Sequence, residues 1–394
     1  MMMDRLTAIE MMKDIFTSSE AAEFLNISMQ RLNQLVHEKR LAPIKSSKSV
    51  MLFLKSDLEN RVISNVSNNQ NINNLNSFNI NIAYVRDAIL YFTLQQFFNY
   101  NDKKTMKFLD DIVNFNHFDM RAGLKNNIPV LSNLLKTTEK EFYDTYVFVK
   151  DSFRSLTEDV VLIKRGDEIY PKLLANIVDA PLYLFLKGDI QLLNEKSVCV
   201  VGSRNASNDS MKKTKRIVQS LIKRNIVVNA GLAKGIDTAT HIAALESGGK
   251  TIAVIGTPIN QYYPKENKEL QIKIEARGLV VSQFPPCNKV NRWNFPTRNA
   301  TMSGLSLATI IMEAGETSGA LKQADYALKQ ERKVLIPKSA IDNNAITWPK
   351  KYVTKGAKVF VTLKDVLTML NKVDLLNDIF SSEDMEEITD VEMD

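Results

Sequence analysis

The sequence predicts an α/β protein: a doubly wound, mainly parallel sheet in the C-terminal half, preceded by a helical region and a small winged helix-turn-helix module. Three observations carry that prediction. First, after residue 160 seven short apolar runs follow one another, separated by stretches of helix length. Continuous runs of this kind mark strands buried on both faces. Second, residues 65–81 hold nine Asn in seventeen positions. That composition cannot bury a core and reads as a linker. Third, a capping-box sequence opens a helical pattern near the N-terminus.

The elements follow in chain order. Residues 1–64 form the winged module. Thr17-Ser18-Ser19-Glu20 is the capping box, and the helix AAEFL follows it. Ser28 caps a second helix with Leu32, Leu35 and Val36 facing inward, which leaves Gln30, Arg31, Asn33 and Gln34 facing outward. This is a helix-turn-helix layout. A hairpin comes next, with Ser46-Ser47-Lys48 as its turn and VMLFL as the returning strand. Residues 82–156 place Ile89, Tyr91, Phe92, Leu94, Phe97 and Phe98 at helical spacing and predict a small helical domain. Residues 157–372 carry the strands SVCVVGS, IVVNAG, TIAVIG, LVVSQF, ATIIME, KVLIP and AKVFVT. Helix-separated buried strands make a Rossmann-like sheet, whose ligands bind beyond the carboxyl ends of the strands. Residues 373–394 form an acidic tail.

Composition narrows the partner. Of 394 residues, 44% are hydrophobic and 24% charged, as in an ordinary soluble protein. No apolar run reaches the roughly 18–20 residues a membrane span needs. No basic stretch followed by an apolar one opens the chain, so no secretory signal is expected. Cys199 and Cys287 have no paired spacing, which argues against a metal or a disulfide framework and fits a reducing cytoplasm. The net charge is +6, yet residues 374–394 hold nine acidic residues and no Lys or Arg, leaving +15 on the remainder. A basic body suits a polyanion. The tail is expected to compete for that body when the polyanion is absent.

The loops after the strands carry the candidate chemistry. Gly202-Ser203-Arg204 follows the first run; Gly202 allows a sharp turn, and Arg204 offers a permanently charged fork suited to phosphate. Ser207 or Asn208 can cap the next helix, whose N-terminus favours an anion. No G-x-G-x-x-G or G-x-x-x-x-G-K-[ST] occurs, which argues against a dinucleotide dehydrogenase and a P-loop NTPase. The second loop places Lys234 between Gly231 and Gly235, either as a phosphate contact or as a surface lysine, with Asp237 as a helix cap. His241, one turn further, reads as a structural hydrogen-bonder. The third loop brings Tyr262, Tyr263 and Lys265. The fourth, PPCNKVNRWNFPTRN, sets Lys289, Arg292 and Arg298 around Trp293 and Phe295. Cations interleaved with aromatics suit single-stranded nucleic acid, where cations track the backbone and bases stack on rings. Phe295 is expected to pack the loop down, and Trp293 either packs or stacks. The fifth loop, EAGETSGA, could hold a further phosphate on backbone N–H groups near Ser318 and Gly319, or form an unoccupied cap.

The ordered set GSR, GLAKGID-TATH, IGTP, YPKEN, FPTRN and E-x-x-x-x-SGA resembles the DNA-processing protein A (DprA/Smf) family, with the match running over residues 165–340. The resemblance implies a groove for single-stranded DNA, a homodimer and engagement of a RecA-type recombinase. It implies strand contacts from Arg204, Lys265 and the Lys289–Arg298 segment, with Asn299 ordering the groove. The sequence departs from that family where Pro337 is followed by Lys338 instead of Gly, and where the acidic tail replaces a C-terminal winged helix.

The N-terminal module resembles the excisionase and MerR-type winged helix-turn-helix. That resemblance implies duplex contacts from Ser28, Gln30, Arg31, Lys45 and Lys48. The reading is therefore a DNA-binding protein of two modes, acting in recombination or transformation and not an enzyme, with no cofactor. Two alternatives stay open. One is a regulator or antitoxin of a mobile-element or phage-defence locus, with a cognate toxin as partner. The other is a nucleotide-binding sensor or nucleotide hydrolase.

Overall fold

The structure, a computed structural model, describes residues 15–24, 29, 32–33, 36, 41, 43, 45–46, 51–54, 58, 78, 80, 83–115 and 124–371. The chain divides into two compact units, residues 1–91 and 92–394.

In the first unit, β1 (Ile15–Thr17), β2 (Lys45–Ser46) and β3 (Met51–Leu54) form an antiparallel sheet in the order β1-β3-β2. The capping box closes as its sequence requires. Thr17 N donates to Glu20 Oε2 at 2.8 Å, and Glu20 N donates to Thr17 Oγ1 at 3.4 Å, opening α1 (Ser18–Phe24). Ala21, Ala22, Leu32, Leu41, Phe53 and Leu58 form its core. Lys45 is exposed on β2. Ser28, Gln30, Arg31 and Lys48 lie outside the described residues.

Four helices lead into the second unit's sheet: α2 (Ala83–Phe97), α3 (Asp102–Phe115), α4 (Leu124–Leu135) and α5 (Glu139–Phe153). Within that unit Phe92 meets Phe153, Tyr183 and Phe185 at ring separations of 6.1, 5.7 and 5.7 Å, which seats helix on sheet through aromatic packing.

Each of the seven apolar runs forms a strand. In order they are β6 (Ser197–Val201), β7 (Val227–Ala230), β8 (Thr251–Ile255), β9 (Leu279–Ser282), β10 (Ala308–Ile311), β11 (Lys333–Pro337) and β12 (Lys358–Phe360). Nearly every position along β6 to β10 is buried, as strands covered on both faces require. Two strands outside those runs, β4 (Val160–Lys164) and β5 (Tyr183–Gly188), add antiparallel at one edge. The sheet order is β12-β11-β10-β6-β7-β8-β9-β5-β4. The chain enters the parallel part at β6, winds outward to β9, then returns to β10 on the other side of β6. The switch point between β6 and β10 leaves a crevice at the strands' carboxyl ends.

The helices that frame this crevice are α7 (Asn208–Ile222), α8 (Ile236–Glu246), α9 (Lys268–Arg277), α10 (Asn294–Gly304) and α11 (Gly319–Lys329), after a short α6 (Lys172–Ala175). The chain continues through α12 (Lys338–Asp342), α13 (Trp348–Thr354) and α14 (Leu363–Asn371). Trp348 is 1% exposed and donates its indole N–H to Ala314 O at 2.7 Å. Its ring is an element of the core, and Lys350 and Lys351 are exposed beside it.

Candidate nucleic-acid interface

A cavity of about 510 Å³ opens at the switch point, lined by the loop after β6, the start of α8, the face of α10 and the loop leading into α11. Gly202 forms its floor. The backbone there does not adopt positive φ, so the expected sharp turn is not why glycine is needed. A Cβ would lie 2.6 Å from Ile236 Cγ1 and 2.8 Å from Glu313 O, and only glycine lets α8 approach β6 so closely. Ser203 N donates to Glu313 O at 2.6 Å, tying the loops after β6 and β10 together. Arg204 projects outward from this frame, exposed, with no ion pair among the described residues.

The N-termini of α7 and α11 differ. At α7, Ser207 caps by accepting from Ser210 N at 3.2 Å. The Glu313 carboxylate sits on the cap residue, accepting from Ser207 N at 3.1 Å and Ser207 Oγ at 2.7 Å. Burial opposes the Glu313 charge, but hydrogen bonds from Ser210 and Ser207 outweigh it and hold the carboxyl below its usual range. Asp209 adds a second carboxylate in that first turn. The anion expected at this helix end is thus already supplied by the protein. At α11, Ser318 caps by accepting from Ala320 N at 3.3 Å, the first turn holds no acidic residue, and Gly319 is exposed. A Cβ on Gly319 or Gly315 would meet nothing within 4 Å. Glu316, in the same loop, turns away to accept from Thr347 N and from Trp348 N at 3.2 Å, anchoring α13.

Arg298 departs from its expected role as a strand contact. It is 5% exposed, and its Nη1 donates to Gly231 O at 2.5 Å and to Val254 O. On the other side of the same residue, Gly231 N donates to Asp237 Oδ2 at 3.0 Å. A Cβ on Gly231 would collide with the guanidinium, so the glycine makes room for the arginine. Burial lowers the Arg298 pKa, with the Asp237 charge opposing that shift, and burial raises that of Asp237, with the Arg298 charge opposing. Arg298 Nε also donates to Asn299 Oδ1 at 3.1 Å, and Asn299 Nδ2 reaches Gly319 O at 3.4 Å. Asn299 therefore links this buried cation to the start of α11.

Lys234 also differs from a free phosphate contact. Its Nζ lies 2.7 Å from Glu266 Oε1, joining the loops after β7 and β8. Asn267 reinforces that joint, donating to Leu232 O and Thr238 Oγ1, each at 2.9 Å. His241 is buried. Thr251 Oγ1 donates to Val228 O at 3.0 Å, so it accepts from His241 Nδ1 at 2.8 Å. Burial pushes the His241 pKa down to about 3, which suits a neutral structural ring.

Along the same carboxyl edge, Lys265, Lys289 and Arg292 are exposed, with no ion pair among the described residues. Trp293 is 79% exposed, which resolves its two readings: it does not pack onto the sheet. Phe295 does pack, over Gly256 and 5.4 Å from the Tyr263 ring. Lys268 Nζ lies 5.4 Å from the Tyr262 ring centroid. Lys322, in the lining of the cavity, was not legible as a site residue, since no local pattern distinguishes a groove-facing charge from a surface one.

Comparisons with known proteins identify the family. The family model described as DNA recombination-mediator protein A matches residues 161–371. The chain is similar to DNA processing protein DprA of Streptococcus pneumoniae, 42% identical over 202 residues, covering 51% of this chain and 71% of that protein. It is 33% identical over 238 residues to DNA processing protein DprA of Bacillus subtilis, covering 60% and 79%. The X-ray structure of the Streptococcus pneumoniae protein superposes with a TM-score of 0.59 at 32% identity, covering 71% of this chain and 97% of that one. The matched span runs from β4 to the end of α14 and takes in every loop of the crevice, so the chain belongs to the DNA recombination-mediator protein A family.

Proposed function

We propose that this protein binds single-stranded DNA along the carboxyl edge of its parallel sheet and acts in DNA recombination or transformation without catalysing a reaction. The observation that carries the reading is the array of exposed cations on that edge, Arg204, Lys265, Lys289 and Arg292, beside the exposed ring of Trp293. A strand's phosphates lie on the cations and on the open N-terminus of α11 at Ser318 and Gly319, and a base stacks on Trp293. Lys234 contributes once Glu266 releases it. Arg298 and Asn299 hold the loops in register from beneath. Single strands suit this edge better than duplex, because an exposed indole can stack only on an unpaired base.

The first unit serves as a second point of attachment, with duplex DNA held by a winged helix-turn-helix. The capped α1 and the three-stranded sheet support that layout. Homodimerisation and engagement of a RecA-type recombinase rest on the family resemblance, and a toxin partner on the excisionase-like module alone.

Fluorescence anisotropy with labelled oligo-dT and a matched duplex tests the strand reading. Wild type, Arg204→Ala and Lys265→Ala are compared at two salt concentrations. Binding that weakens with salt and in both variants is expected. Salt-insensitive or absent strand binding would overturn the reading.

A further inference from the structure

We propose that the outer face of α7 is a docking surface for the chain's own acidic segment, residues 374–394, and that the docked segment lowers the protein's attraction for DNA. The docking needs no DNA and stands apart from the strand-binding reading; only its effect on DNA rests on that reading.

The surface is a line of cations. From Ser210 to Lys223 every exposed side chain is one: Lys212, Lys215, Arg216 and Lys223. Lys215 pairs with Glu246 of α8 at 2.8 Å, and the buried Lys213 reaches Asp209 at 3.1 Å. Lys212, Arg216 and Lys223 have no ion pair among the described residues. At positions i, i+4 and i+11 they fall on one side of the helix, within about 40° of one another and over about 17 Å of its length. Like charges four residues apart destabilise a helix, and a cation gains from the helix dipole only near the last turn. The dipole accounts for Lys223. It does not account for Lys212 or Arg216, which an anionic partner would repay.

The chain supplies such a partner on the same face. Ile217 and Leu221 of α7 share one buried cluster with Val366 and Leu370 of α14, whereas Met302 of α10 and Leu321 of α11 lie in another. Helices α7 and α14 therefore cover one face of the sheet, and α10 and α11 the other. Helix α14 ends at the amino edge of the strands, where Lys333, the first residue of β11, donates to Met369 O. Lys223 caps α7 at that same edge, four residues before β7 begins. The chain beyond Asn371 lies outside the described residues. In its sequence, seven of the twelve residues from 383 to 394 are Asp or Glu, and no Lys or Arg follows Lys372. Glu383 stands twelve positions after Asn371, a connection that spans at most about 40 Å. That reach covers the length of α7, about 22 Å. Helix α7 also opens four residues after Arg204, so charge neutralised on it weakens the field that draws a polyanion to the rim.

Carbodiimide crosslinking of the full-length protein without DNA tests the docking, because it joins a lysine amine to a carboxylate only where the two touch. Trypsin releases residues 373–394 as one peptide, and mass spectrometry identifies what it is joined to. Crosslinks to Lys212, Lys215 or Lys223 at low salt, lost at high salt, are expected. Arg216→Glu leaves every amine in place and should cut their yield several-fold. Crosslinks to Lys265 and Lys289 in place of these would put the segment on the rim and overturn the proposal, as would no crosslinks at all. A mixture of isotope-labelled and unlabelled protein shows whether both peptides come from one chain, and crosslinks found only between chains would overturn it too. A full-length variant with Gln or Asn at every acidic position from 383 to 394 should bind oligo-dT several-fold tighter at low salt, with the gap closing as salt rises. Equal affinities would overturn the effect on DNA. Absence of oligo-dT binding in both proteins, with the α7 crosslinks present, would instead sink the strand reading and leave the docking in place.

Discussion

The inner wall of the crevice and its outer rim are built from the same short motifs, yet they hold their charges in opposite ways. Inside, Arg298 and Asp237 grip Gly231 from both sides, and each is nearly inaccessible. On the rim, Arg204, Lys265, Lys289 and Arg292 point into solvent with no ion pair among the described residues. The FPTRN motif and its approach show the contrast at close range. Arg298 is 5% exposed, and Trp293, five positions earlier, is 79% exposed. Charge in a motif therefore identifies an important residue without saying whether it holds the loops or the ligand. Substitutions separate the two classes, because inner changes should act on stability and rim changes on binding.

The largest effect is expected at Arg298. Replacement by Met removes a buried cation from two backbone carbonyls and leaves Asp237 without its counter-charge. Breaking such a buried arrangement typically costs about 3–5 kcal/mol. Urea denaturation should show that loss. A fully stable Arg298→Met protein with weakened strand binding would move Arg298 to the rim class and erase the contrast.

Arg204→Ala should leave the denaturation midpoint unchanged and weaken oligo-dT binding by about ten- to one-hundred-fold, the range for a hydrogen bond to a charged group. The salt dependence should become shallower by roughly 0.7 in log–log slope for each phosphate that the protein no longer neutralises. Trp293→Ala should weaken binding by about 1–3 kcal/mol, the worth of one stacked base, while keeping the salt slope. Anisotropy titrations across a salt series distinguish the two rim residues by slope alone.

Helix α8, which begins at the crevice, also carries a pH signature. His241 is held neutral in the fold, with its pKa pushed down to about 3 by burial, whereas an unfolded histidine titrates near its ordinary value. Its contribution is therefore complete above about pH 6.5 and is lost as pH falls toward 3, by up to ~1.4 kcal/mol per unit. His241→Gln should flatten the acid limb of a stability-against-pH profile, and an unchanged limb would show that the ring is not the group responsible.

Much of the sheet was readable because strands buried on both faces leave unbroken apolar runs, as SVCVV and TIAVI do. The edge strand β4, VVLIK, was not, because only Val160 and Ile163 are fully buried in it and its antiparallel partner β5 is reached through a connection that holds α6 instead of a tight turn. The rim was legible for a related reason: exposed cations beside aromatics have few structural uses. The inner wall was not, since burial of Arg298 depends on a glycine in a different loop, and the closure of the α7 terminus depends on Glu313, at the end of a different strand. Both are properties of two segments meeting, which no window of sequence contains.

The smallest expected effect lies where the two classes touch. Lys234 is exposed like a rim residue but paired like an inner one, 2.7 Å from the equally exposed Glu266. Its hydrogen bond to Lys234 holds the Glu266 carboxyl below its usual range. If a strand phosphate takes Lys234, it must first displace that carboxylate, so Glu266 acts as a weak internal competitor. Exposed pairs of this kind contribute little, so Glu266→Gln should tighten oligo-dT binding by only about two- to five-fold at low salt, with the gain vanishing as salt rises. Lys234→Ala in the Glu266→Gln background should cancel the gain, because the carboxylate can compete only through the lysine it holds. A loss of affinity in Glu266→Gln would show that the pair braces the two loops, and Lys234 would join Arg298 among the residues that hold the crevice together.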